Sequence, residues 1–96
     1  MITTIVLINA DVRRTEEIAQ ALLAIDGIAE VYSLAGDYDL AAILRVRDYD
    51  QIAQLVPGRL AHVDGIARTQ TLMAFQCYSR RDLEQMWEIG LDEGKR

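Results

Sequence analysis

Asp37, Tyr38 and Asp39, directly behind Gly36 in the run GDYD, form the best cluster of groups in this chain able to hold a small molecule. A carboxylate can pair with an ammonium, and backbone N–H groups or hydroxyls can hold a carboxylate. Such a run at the end of a sheet therefore suits one wall of a pocket for a small zwitterion. The same residues equally suit a plain hairpin turn, with Gly36 at positive φ and the aspartates bonded to backbone. Other chemistry finds little material. His62 has no second histidine or cysteine at metal-ligand spacing, so no metal site is expected, and near a helix end it reads as a surface or capping residue. Cys77, the one cysteine, reads as a buried, inert thiol in an apolar strand. With no phosphate-binding glycine loop and no acid/base pair at defined spacing, the sequence offers no catalytic residue and implies no cofactor.

The elements that position GDYD follow from periodicity. Thr3 to Ile8 is short and rich in β-branched residues, which favours a strand. After the polar break at Asn9 and Asp11, Ile18, Leu22 and Ile25 recur at helical spacing, widened by Ala19 and Leu23, until Asp26-Gly27 supplies a stop. Ile28 to Leu34 is the second strand and Leu40 to Val46 the third, with the AGDYD turn between them. Asp48 caps a second helix, Gln51 reaches back in a capping box, and Ile52, Leu55 and Val56 form its apolar side. Pro57-Gly58 interrupts this helix, so a kink or a restart towards His62 is expected. Asp64-Gly65 closes it, Ile66 to Tyr78 reads as the fourth strand, and SRRDLEQMWEIG, with Ser79 as N-cap, reads as a third helix.

Two stretches repeat one another: DGIAEVYSL from Asp26 and DGIARTQTL from Asp64 share five of nine residues. Each sits where a helix hands over to a strand, so the chain reads as two strand-helix-strand units in tandem. That order is the α+β ferredoxin-like βαββαβ arrangement, an antiparallel sheet with both helices on one face. Residues 1–79 then form the domain, with 80–96 as its C-terminal helix and tail. A sheet wet on one face should alternate apolar and polar residues. Ile5-Val6-Leu7-Ile8, Leu40-Ala41-Ala42-Ile43-Leu44 and Leu72-Met73-Ala74-Phe75 are instead nearly continuous apolar runs, which predicts burial on both faces and a face-to-face dimer.

Composition narrows the partners. At 96 residues the chain supports one domain, and a net charge of −5 repels a polyanion, so direct nucleic-acid binding is not expected. The start MITTIVLINADV has no basic leader and only a four-residue apolar core, too short for a signal peptide or membrane span; together with the single cysteine it points to the cytoplasm.

VYSLAGDYDLAAILRV followed by VDGIARTQTLMAF resembles the effector-binding domain of the Lrp/AsnC feast/famine transcription regulators, across roughly residues 3–78. The resemblance implies an α/β sandwich dimer (dimeric α/β barrel), often assembled into rings of four dimers, with an amino acid bound between dimers near the glycine turn. Carried across residue by residue, it assigns Gly36, Asp37, Tyr38 and Asp39 to the turn and Thr69 and Thr71 to the partner strand. Regulators of that family carry an N-terminal helix-turn-helix, whereas this chain starts at the first sensing strand. Asp64 also stands where the family often has proline. The expectation is a stand-alone amino-acid-sensing oligomer that modulates transcription by co-assembling with a full-length regulator. A small dimeric enzyme of monooxygenase or isomerase type and a ligand-free oligomerisation module are the alternatives.

Overall fold

The two half-units fold as their periodicities require. In the computed structural model, which describes residues 1–80, β1 (Ile2–Ala10) leads through a short 3-10 turn (Val12–Arg14) into α1 (Thr15–Leu23) and β2 (Ile28–Ser33). The second unit is β3 (Leu40–Val46), α2 (Tyr49–Gly58), a 3-10 turn (Leu60–His62) and β4 (Ile66–Ala74). All three strand pairings are antiparallel and the sheet order is β2-β3-β1-β4, the ferredoxin-like order.

The capping box of α2 is present: the Asp48 side chain accepts from Gln51 N at 3.0 Å, and Gln51 Oε1 accepts from Asp48 N at 3.3 Å. Pro57 lies inside the last turn, the helix ends at Gly58, and a separate 3-10 turn restarts at Leu60 as expected. Two expectations need correction. β4 stops at Ala74 rather than Tyr78, because it pairs with β1 only as far as Thr3↔Ala74, where its partner is nearly exhausted. Cys77 therefore lies past the strand and is exposed, not buried. The third helix expected from Ser79 falls largely on residues outside the described ones.

One face of the sheet carries the core. Thr4, Val6 and Ile8 of β1 and Leu40, Ala42, Leu44 and Val46 of β3 pack with Ile18 and Leu22 of α1 and Ile52 and Leu55 of α2. Thr4, the one buried polar residue among those described, directs its hydroxyl at Met73 Sδ, 3.6 Å away. The other face has no helix among the described residues. Ile5, Leu7 and Ile43 are only half-buried there, and Leu72 and Tyr32 are exposed. Tyr32, Ile5, Ile43 and Phe75 help to line a cavity of about 550 Å³ on this side. The near-continuous apolar runs thus correspond to a sheet with one face packed by helices and one open.

The repeated Asp-Gly has a matching geometric role in each half. Gly27 and Gly65 have φ of 100° and 98°, a region that side-chain-bearing residues rarely adopt. Each presses against the helix of the opposite half: a Cβ on Gly27 would lie 2.7 Å from Leu55 Cδ1, and one on Gly65 would lie 2.8 Å from Ile18 Cδ1. The pseudo-repeat therefore lets each turn tuck beneath the other unit's helix. Gly27→Ala and Gly65→Ala should each cost about 1–3 kcal/mol through backbone strain and overpacking. Urea titration of both variants tests this, and midpoints equal to that of the parent chain would contradict it.

Candidate functional site

The GDYD turn is fastened to the sheet rather than left as a free loop. Gly36 has φ of 133°, and a Cβ built on it meets nothing within 4 Å, so the positive φ and not crowding selects glycine there. The turn closes on itself, since Leu34 N–H donates to the Asp39 carbonyl at 2.8 Å, and Asp39 N–H donates to the Ile8 carbonyl at 2.9 Å. Asn9 Nδ2 donates to the Asp37 carbonyl at 2.7 Å.

The Asp39 carboxylate is partly committed to the fold. Its Oδ2 accepts from Ala10 N–H at 2.8 Å, where the β1–β4 register shifts between Asn9 and Ala10. Such irregularities interrupt the strand ladder, and a side-chain acceptor is one way to satisfy the backbone donor. The hairpin reading is therefore realised in its positive φ and, for Asp39 but not for the Asp37 side chain, in its aspartate-to-backbone bond. These features do not exclude the pocket wall, because a carboxylate has more than one acceptor site. The Asp37 side chain is exposed.

Tyr38 carries the turn across to β4, its hydroxyl hydrogen-bonded to Gln70 Oε1. The register separates Gln70 from the two threonines expected as the opposite wall. Thr69 pairs with Ile8 and Thr71 with Val6, so both stand on the helix-bearing face, while Gln70 pairs with Leu7 on the open face. Thr69 is half-buried and Thr71 exposed. Within one subunit, then, Gly36 to Asp39 come together with Asn9, Ala10 and Gln70, and Thr69 and Thr71 flank Gln70 from the other side of the sheet. The polar break at Asn9 was visible in the sequence. Gln70 needed the β1–β4 register, which its neighbours in sequence do not reveal.

A second polar cluster lies at the β2–β3 edge of the open face. Glu30 accepts from Tyr32 Oη at 2.6 Å and from Arg45 Nη1 at 2.9 Å. These partners hold the Glu30 carboxyl below its ordinary range, Tyr32 first and Arg45 second, while the same carboxylate raises the Tyr32 phenol. On the helix side, Arg14 bridges Glu17 at 3.0 Å and Asp64 at 3.2 Å, tying the start of α1 to the second Asp-Gly turn. Among the described residues no group of three or more His, Cys, Asp or Glu side chains is arranged to hold a metal ion. No helix among them is long and apolar enough to cross a membrane.

Residues 3–83 match the family model described as the Lrp/AsnC ligand binding domain. The chain belongs to the Lrp/AsnC family. The fold of this member is similar to that of TTHA0845 from Thermus thermophilus, with a TM-score of 0.75 and 38% identity over 83% of this chain and 100% of that one. It is also similar to a feast or famine regulatory protein from M. tuberculosis complexed with L-methionine, with a TM-score of 0.69 and 22% identity over 84% of this chain and 55% of that one. In sequence, 59 residues are 30% identical to the uncharacterized HTH-type transcriptional regulator PH1916 of Pyrococcus horikoshii. They make up 62% of this chain and 39% of that relative, so the chain spans less than half the length of the curated relatives it matches. The matched model is a ligand-binding domain and the curated relatives are regulators, which sets this Lrp/AsnC domain apart from the enzymes that share its fold class.

Proposed function

We propose that this Lrp/AsnC domain is an amino-acid sensor of the cytoplasm, assembled through the open face of its sheet. It acts on transcription by co-assembling with full-length regulators of its family. The observation that carries the reading is the Gly36–Asp39 turn, fixed to β1 by Asn9 and Ala10 and to β4 by Gln70, with open space above Gly36. A rigid, polar, glycine-opened turn suits recognition of a small zwitterion, because the groups that meet the ligand are already ordered before it arrives. L-methionine in the M. tuberculosis relative supports the ligand class.

The face that carries no helix among the described residues supports assembly. Ile5, Leu7, Ile43, Leu72 and Tyr32 leave apolar surface that a second sheet would remove from water, at about 25 cal/mol per Å². Pairing sheets gives the dimer, and further association into a ring of four dimers brings turns of neighbouring dimers together. Thr69 and Thr71 then serve as a wall for a ligand held between subunits. With its net charge of −5, the chain leaves contact with DNA to the partner regulator.

A thermal-shift screen against the twenty amino acids tests the function. A ligand at a hundred times its Kd stabilises by about 2.7 kcal/mol, so one or a few amino acids at millimolar concentration should raise the midpoint by several degrees. Twenty flat responses would reduce the chain to an oligomerisation module.

A further inference from the structure

The described arginines are not spread evenly. Arg45, Arg47 and Arg59 all line one cleft of about 370 Å³, between the end of β3, the length of α2 and the Asp26-Gly27 turn. Arg45 is neutralised by Glu30, but Arg47 and Arg59 take part in none of the ion pairs among the described residues. The amides of Gln51 and Gln54 line the same cleft. The Gln51 carbonyl oxygen is already occupied, accepting from Arg47 N at 2.6 Å and Asp48 N at 3.3 Å, so donors are what this side chain has left to offer. Asp26 is the one carboxylate among the lining residues.

The cleft is thus rich in donors and carries two guanidiniums that form no ion pair among the described residues, against one carboxylate, in a chain whose overall charge is −5. Guanidinium groups present planar forks that match carboxylate and phosphate oxygens two at a time. We infer that this cleft is a second ligand site, separate from the GDYD turn, and that it takes a compact organic or inorganic polyanion held between Arg47 and Arg59. Its volume admits a small molecule and not a folded partner. The inference does not depend on amino-acid binding at the turn.

Phosphate and carboxylate ligands share this chemistry, so two probes distinguish them. Calorimetric titration of the full chain at low ionic strength with pyrophosphate, and separately with citrate, should show saturable binding of at least one; the tighter of the two identifies the ligand class. Arg47→Gln and Arg59→Gln should each weaken that binding by about tenfold or more, the loss expected for one charged hydrogen bond. Arg68→Gln, on β4 and outside the cleft, should leave it unchanged. Absence of saturable binding by both probes, parental affinity in Arg47→Gln and Arg59→Gln, or an equal loss in Arg68→Gln would each overturn the assignment. Circular dichroism of the three variants confirms that they are folded before they are compared.

Discussion

Leu44→Asp is expected to unfold the subunit, whereas Ile43→Asp, one residue away, is expected to leave it folded but monomeric. Leu44 is fully buried among the helix-facing core residues, and an unpaired carboxylate there costs upwards of about 4 kcal/mol, against a total stability of about 5–15 kcal/mol for a domain. Ile43 points to the opposite face and pairs with Ile5, where a single subunit leaves both half-buried. A charge there stays hydrated in the monomer and is desolvated only when a second sheet covers it. Circular dichroism with urea titration reads the first effect, and sedimentation velocity reads the second. A parental urea midpoint for Leu44→Asp, or parental assembly for Ile43→Asp, would contradict this assignment of the two faces. Phe75→Asp belongs with Ile43→Asp, since Phe75 is 98% exposed in the single chain and can disturb only assembly.

Gly36→Val is expected to abolish amino-acid binding without unfolding the domain. A β-branched residue resists a φ of 133°, and because nothing lies within 4 Å of the added Cβ, the new side chain projects into the space a ligand would enter. Asp39→Ala should weaken binding by about 1.5–3 kcal/mol if its carboxylate holds the ammonium. That variant also strips Ala10 N–H of its acceptor, so Tyr38→Phe, which removes only the hydroxyl bonded to Gln70, serves as the companion that loosens the turn without touching a charge. Thr69→Val and Thr71→Val test the opposing wall between subunits. Isothermal titration at matched oligomeric state reads all five, and unaltered affinity in both Gly36→Val and Asp39→Ala would make the turn a hairpin and nothing more.

Most of the fold was legible because its signals are local. The capping box at Asp48 and Gln51, the restart after Pro57-Gly58 and the two Asp-Gly turns are each decided by a few adjacent residues. The tandem repeat exposed the two halves, although only the structure showed that each glycine lies beneath the other half's helix. What depended on register was not legible. The end of β4 is set by how much of β1 remains to pair with it, and the exposure of Cys77 follows from that end. At the candidate site the glycine turn was readable from its residue types. The attachment of Tyr38 to Gln70, and the placement of Thr69 and Thr71 on the helix-bearing face, come from a pairing between strands some 60 residues apart. The cleft lined by Arg47 and Arg59 was equally hidden: the two arginines flank α2 in the chain, and the cleft is completed by the end of β3 and the Asp26-Gly27 turn, which are remote from α2's C-terminal end in sequence.

An amino acid held against the GDYD turn should be visible in a crystal of the full chain soaked in the amino acid that gives the largest thermal shift. The expected result is difference density beside Gly36, with the ligand within hydrogen-bond distance of the Asp37 or Asp39 carboxylate. Density confined to another site, or a clear turn with no ligand at saturating concentration, would contradict it.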